Sequence, residues 1–191
     1  MKILTIATVA LLLVAGGCKE KKKAEKGTII PIISLIKDQV AHVDTSLYTI
    51  MKITRVDSAR NDTVYIERSQ FRQAASDFLS LPDISTAEYY GRYKEEDSYD
   101  ETLGRVVFTY TAKNPDNEEV QKEELLVKPD PPNDKVTSLI ITTVRITKDS
   151  LIEKKLLWSM DQSFQVTTTK QYPSKPETIS TFNVVWNEKE Y

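Results

Sequence analysis

The stretch VTSLIITTVRIT, from Val136 to Thr147, is the most strand-like part of the chain. β-Branched residues dominate it, and such residues favour a pleated sheet. Side chains alternate between the two faces of a strand, so Ile140 and Val144 share one face while Leu139 and Ile141 share the other. Because both faces carry apolar residues, we predict a strand in the interior of a sheet.

Segments of similar composition surround this stretch on both sides. Val, Ile, Thr and aromatic residues dominate them, and short polar turns rich in Asn, Asp and Pro separate them. We therefore predict an antiparallel meander with short connections. Its further strands are predicted at Arg105–Ala112, Glu119–Lys128, Leu151–Ser159, Phe164–Gln171 and Thr178–Trp186.

The part of the chain that precedes the meander has a different pattern. Apolar residues recur at spacings of four and three, which predicts an amphipathic helix that starts near residues 28–32. Its apolar positions are Ile29, Ile33, Ile36, Val40 and Val43. A strand pair, Leu47–Val56 and Thr63–Glu67, is predicted next, with a turn between the two strands.

A second helix is predicted from Ser69, as its N-cap, to about Leu79. Phe71, Ala74, Ala75 and Phe78 form its apolar stripe, and Pro82 stops it. The complete pattern indicates an α+β fold, with two amphipathic helices packed on a long, curved antiparallel sheet. The strands of this sheet are connected as a meander, and its shape is half-barrel-like. A closed sheet with peripheral helices is the alternative.

Trp158 and Trp186 lie near strand ends. We expect them to anchor the core edge of the sheet, with ligand stacking as the other interpretation.

Composition limits the function classes. The formal net charge of the 191 residues is −2, and it becomes about −3 once Lys2 is lost with residues 1–17. A slightly acidic domain lacks the concentrated basic face that nucleic-acid binding needs, so we expect no nucleic-acid partner. Cys18 is the single cysteine, which leaves no disulfide or thiolate metal site. No cofactor is predicted, and residues 28–191 are expected to form one domain.

The N-terminal residues carry a targeting signal. Lys2 precedes an uncharged apolar run, Ile3 to Val14, which is too short to span a membrane. The following Ala15-Gly16-Gly17-Cys18 resembles the lipobox of bacterial lipoproteins. This resemblance implies a signal peptide at 1–17, cleavage before Cys18 and acylation of its sulfur. There are two alternatives. In one, the chain is secreted and Cys18 is incidental; in the other, Ile3 to Val14 is a buried core helix.

Residues 18–27 are predicted to be the acylated cysteine and a charged tether, with the membrane as partner through the lipid. The lysines of the tether act either as a spacer or as contacts to anionic headgroups. Lys19 after the cysteine is compatible, by resemblance to the class, with sorting to the outer membrane of the cell envelope. The mature part is similar to uncharacterised small lipoproteins of Bacteroidota-type bacteria, over Asp57–Glu67 with Ser69–Arg72 and over Lys135–Ile141. That resemblance implies no activity.

The segment EYYGRYKEEDSYDE, Glu88 to Glu101, is dense in acids and tyrosines. We expect a solvated, mobile connection before the meander, and we regard it as the best candidate for a contact surface. A Ca²⁺ loop and a tyrosine-lined patch for sugar or peptide are further interpretations. The candidate contact residues are Tyr89, Tyr90, Tyr93, Glu95, Glu96, Asp97 and Tyr99.

Signals of catalysis are weak. His42, the sole histidine, has Asp38 one helical turn away, but no nucleophile motif accompanies it, so a surface role is favoured. A glycosidase pair could be formed by Asp83 and Glu88, or by two acids among Glu95, Glu96, Asp97 and Asp100. We therefore predict a non-catalytic binding module for a protein, lipid or glycan partner. The alternative is a membrane-tethered hydrolase that uses carboxylates of residues 88–101, either alone or with the assistance of a metal ion.

Overall fold

The computed structural model describes residues 29–57 and 60–187. Within these residues the chain forms a nine-stranded antiparallel sheet and three α-helices, which confirms the coarse α+β prediction. The helices are α1 Ile32–Thr45, α2 Arg68–Ala74 and α3 Ser76–Leu79. The strands are β1 Met51–Arg55, β2 Asn61–Tyr65, β3 Tyr93–Asp100, β4 Arg105–Ala112, β5 Val120–Lys128, β6 Lys135–Ile146, β7 Leu151–Ser159, β8 Ser163–Tyr172 and β9 Lys175–Val185.

The strand order is β2-β1-β9-β8-β7-β6-β5-β4-β3. Strands β3 to β8 each pair with the next strand in the chain, so the predicted meander is confirmed. Short turns permit this because antiparallel neighbours can be joined by a few residues. The hairpin of β1 and β2 then joins the sheet along β9, which leaves β2 and β3 at the two edges.

Most predicted strands are confirmed, two of them with the observed bounds of β4 and β7. The largest correction concerns the expected connection at 88–101, because Tyr93–Asp100 forms strand β3. All eight of its residues pair with β4, and backbone pairing at an edge tolerates the charged side chains. Strand β9 also starts earlier than predicted, at Lys175.

The start of the second helix differs from the prediction as well. Its N-cap is Glu67 rather than Ser69, because the side chain of Gln70 accepts a hydrogen bond from the Glu67 N–H at 2.9 Å. The helix is also divided at Ala75 into α2 and α3. Both halves still direct a buried phenylalanine, Phe71 or Phe78, towards the sheet.

Strand β6 lies in the interior of the sheet, as predicted for Val136–Thr147. Leu139 and Ile141 are fully buried on the face that the helices cover, which we call the inner face. Ile140 and Val144 are half-buried on the opposite, outer face. The apolar character of both faces therefore corresponds to an interior strand with one face in the core.

An aromatic cluster fills the space between the helices and the inner face. Trp158 stacks on its cross-strand partner Phe164 with ring centroids 5.0 Å apart. Phe78 meets the Trp158 ring edge-on at 5.1 Å, and Phe71 meets Trp186 at 5.2 Å. Such pairs stabilise beyond their buried area. The prediction that both tryptophans anchor the core is therefore confirmed.

None of the helices in the described ranges has the length and apolar character that a membrane crossing requires.

Phe71→Ala should lower the free energy of unfolding by about 3–5 kcal/mol, because it removes a fully buried ring and leaves a cavity. Urea unfolding followed by tryptophan fluorescence measures this change. Tyr65→Ala is the control, since Tyr65 is 74% exposed and its loss should change stability by less than about 0.5 kcal/mol. Equal effects of the two substitutions would contradict the proposed role of the cluster.

Candidate binding surfaces and a buried carboxyl group

The predicted contact residues lie on β3 and on the turn that leads into it. Tyr89 ends a 3-10 helix, Ala87–Tyr89, and Tyr90 follows it. Tyr93 to Tyr99 belong to β3, an edge strand whose partner among the described strands is β4. Cys18, the predicted lipidation site, lies outside the described residues.

The register separates the β3 side chains into two sets. Glu95 lies opposite Tyr110, which is fully buried on the inner face, so Tyr93, Glu95, Asp97 and Tyr99 share that side of the sheet. The outer side carries Lys94, Glu96, Ser98 and Asp100. The strand therefore presents acids on both of its faces.

Tyr93 lies in the core rather than on the surface. It is 6% exposed, and its hydroxyl donates a hydrogen bond to the Val120 carbonyl at 2.9 Å. Burial raises the pKa of Tyr93, and the nearby charge of Glu118 adds to the shift. Its sequence neighbourhood resembles a surface patch, but the alternation of β3 turns this ring inward.

The Arg92 cation and the Tyr89 ring fix the start of β3. The Arg92 guanidinium lies over the half-buried Tyr89 ring at 4.6 Å, and its Nε donates to Glu118 Oε1 at 2.6 Å. Gly91, with φ of 77°, allows the chain to turn between Tyr90 and the strand. Tyr90 is 57% exposed. The turn therefore presents Tyr90 to solvent and holds Tyr89 against the domain.

We name strand β3, Tyr93–Asp100, the acidic edge. It contains four acids and one lysine, and that lysine, Lys94, donates to Glu96 at 2.8 Å. Charged side chains on an edge strand prevent pairing between copies of a protein. The same strand can accept an extended segment of opposite charge, because its backbone groups on the open side face away from β4. By contrast, β2 at the other edge has five residues and a single acid.

The residues named for catalysis do not converge. His42 is exposed on α1, and its ring packs edge-on against Tyr48 at 5.9 Å. Asp83 Oδ1 accepts from the backbone N–H and the hydroxyl of Ser85 at 3.0 and 2.6 Å, which is a local turn. Across residues 29–57 and 60–187, no three His, Cys, Asp or Glu side chains are placed to hold a metal ion. The described geometry therefore supplies no ligand set for the metal-assisted alternative.

Glu123 is a buried carboxyl group that sequence reasoning missed. It is 1% exposed and lies between Tyr110 and Ile141 on the inner face. Neither oxygen has a hydrogen-bond partner among the described residues. Desolvation, with a contribution from the charge of Asp83, raises the pKa of Glu123 to about 8. The alternation of Glu123 with Leu125 was a signal that could have located this residue in the core.

A polar cleft on the inner face was also missed. Strands β6 to β9 continue beyond the aromatic cluster, and there the inner face becomes polar. The cleft has a volume of about 260 Å³. Its lining includes Thr143, Arg145, Ile152, Lys154, Thr168 and Lys170. These residues come from three strands, which explains why no local sequence motif marks them.

Comparison with known proteins yields no match to a family model, a curated protein or a solved structure. Functional inference therefore depends on the contacts, burial and charges described above.

Glu123→Gln should change how stability depends on pH. In wild type the folded carboxyl is protonated up to about pH 8, whereas the unfolded one ionises near pH 4.5. The free energy of unfolding should therefore fall as pH rises through this window, at up to about 1.4 kcal/mol per pH unit, and then level off. Glu123→Gln removes this dependence, so its stability relative to wild type should increase from pH 4.5 to pH 8. Urea unfolding across that range measures the difference.

Glu153→Gln is the matched control, because it makes the same change at an exposed site on β7. This variant should follow the wild-type pH curve. A Glu123→Gln curve parallel to wild type would show that Glu123 is ionised in the folded state.

Proposed function

We propose that this chain is a lipid-anchored lipoprotein of the cell envelope, held in the outer membrane, whose domain is a non-catalytic binding module. Its partner is a protein that presents a basic, extended segment to the acidic edge. The observation that carries the binding proposal is an eight-residue edge strand with an open backbone edge and four acids.

The N-terminal sequence supports the anchor. Ala15-Gly16-Gly17-Cys18 resembles the lipobox, with Ala15 where that pattern prefers Leu, and a lysine-rich segment lies between it and the domain. The described structure begins at Ile29, which is packed into the core at 8% exposed. An acyl anchor with more than one chain holds such a domain stably at a bilayer.

The filled core supports protein recognition rather than lipid carriage. The ring centroids of Phe71, Phe164 and Trp158 are 5.0–6.5 Å from one another, so side chains occupy the space a lipid chain would need. We also infer that the sheet curves around the helices in a half-barrel-like form. Two register shifts between β5 and β6 favour such bending.

Strand addition explains how the acidic edge would bind. A partner strand would pair its backbone with the open side of β3, as one more antiparallel or parallel neighbour. Lysine or arginine side chains on alternate positions would then lie beside Glu95 and Asp97 on the inner side and beside Glu96 on the outer side. Exposed pairs of this kind contribute little individually, so the backbone pairing would supply affinity and the charges would select the partner.

A photo-crosslinking residue at Tyr99 tests this proposal in cells. Tyr99 is 60% exposed on the acidic edge, and Tyr65 is 74% exposed on β2 at the opposite edge. A crosslinking residue in place of Tyr99 should capture a protein that the same residue in place of Tyr65 does not capture. The combined change Glu95→Gln and Asp97→Asn should lower the yield by about three-fold or more.

The matched control removes two acids elsewhere, through Asp149→Asn and Glu153→Gln, and should leave the yield unchanged. Capture of the same protein at both edges, or of lipid or glycan alone at Tyr99, would refute the acidic edge as a protein-binding strand.

Cys18→Ser tests the anchor separately. The variant should lose incorporation of radiolabelled palmitate and move from the membrane pellet to the soluble fraction, because the sulfur that carries the lipid is gone. Fractionation of cells that express wild type or variant measures this shift. A variant that still pellets with outer membranes would overturn the lipid anchor.

A further inference from the structure

On the inner face, the side chains change from apolar to polar at the same cross-strand row in neighbouring strands. Ile141, Leu156 and Val166 form a fully buried cross-strand row. The next row contains Thr143, Lys154, Thr168 and Ser180. The row after that contains Arg145, Ile152 and Lys170. The change from apolar to polar and basic thus occurs across adjacent strands and creates the cleft.

Three cations enter this cleft from three strands. Strands lie about 4.8 Å apart, so the backbones of Arg145 and Lys170 are about 10 Å apart, with Lys154 one row away. Side chains as long as those of arginine and lysine can converge over such a distance. The hydroxyl groups of Thr143, Thr168 and Ser180 line the same space.

Two carboxylates partly balance these cations. Arg145 donates to Glu119 Oε1 at 2.5 Å, and Lys154 donates to Asp77 Oδ1 at 2.6 Å. Lys170 has no ion-pair partner within the described ranges, so the cleft keeps a positive charge. The acids also hold the heads of Arg145 and Lys154 in place.

Stability alone does not account for this arrangement. The side chains of Lys154 and Asp77 are 32% and 28% exposed, so the pair is partly desolvated. Replacing such a pair with well-packed apolar residues is often neutral or stabilising. Apolar residues at these inner-face positions would simply have extended the core. A ligand that needs cations here provides a reason for them.

We propose that this cleft binds a phosphate group, on a soluble molecule or on a lipid headgroup. A phosphate monoester offers three acceptor oxygens and close to two negative charges, and a phosphodiester headgroup offers two such oxygens and one charge. Both suit cations and hydroxyl donors that come from several strands. The volume of about 260 Å³ fits a small ligand or headgroup. Ile152 in the middle of the basic row provides an apolar contact for the carbon skeleton next to the phosphate.

Potassium phosphate titrated into the isotope-labelled full chain, in uncharged detergent micelles at constant ionic strength, tests the site. The amide signals of Thr143, Thr168 and Ser180 should shift and saturate, whereas chloride at equal ionic strength should not move them. Lys170→Ala should weaken the apparent affinity about ten-fold, because it removes one charge-assisted contact and leaves no acid unpaired.

Lys155→Ala is the matched control, because Lys155 neighbours Lys154 on β7 but points to the outer face. It removes the same charge and should leave the affinity unchanged. Absence of saturation in wild type, or equal weakening by both variants, would overturn the site and indicate general charge attraction only.

A second titration distinguishes the two sources of phosphate. Phosphatidylglycerol added to the micelles should shift the same amides, and soluble phosphate should compete, if the site reads a headgroup. Shifts from inorganic phosphate alone would assign the site to a soluble ligand, and shifts from neither would refute it. These readouts are independent of the crosslink at Tyr99, so the two proposals can fail separately.

Discussion

The packing of Phe71 and Phe78 against Trp158 and Phe164 is the contact on which the rest of this structure depends. The single cysteine of the chain precedes the domain, so no disulfide ties the helices to the sheet. Burial of the rings must do this instead, since aromatic side chains supply the largest apolar area per residue. Beyond the buried rows of β6 to β8, the inner face carries the polar cleft.

The two surfaces with proposed ligands both lie outside the aromatic cluster. The helices cover the apolar rows of β6 to β8, and the polar and basic rows that follow them line the cleft. Strand β3 lies at the edge of the sheet, where its acids remain exposed on both faces. The surfaces are opposite in charge and lie on different strands. One domain can therefore hold a basic segment and an anionic group without competition between them.

The strands that sequence reasoning located well are those whose own residues favour a sheet, such as Arg105–Ala112 and Leu151–Ser159. Strand β3 was missed because the sequence KEEDSYD has no apolar alternation and resembles a loop. Its strand conformation comes from pairing with β4 along eight residues, which is a property of the partner as much as of β3. Tyr93 was expected on the surface for the same reason, and the register places it in the core.

Local chemistry in the sequence determined the helices with apolar stripes, the meander, the single thiol at Cys18 and the interior position of Val136–Thr147. These features depend on periodicity and composition, which are written in consecutive residues. Tertiary structure alone decided which strand became the edge, that Glu123 is buried, and that Arg145, Lys154 and Lys170 line one cleft. Each of those outcomes depends on register between strands distant in sequence, because pairing determines which side chains become neighbours.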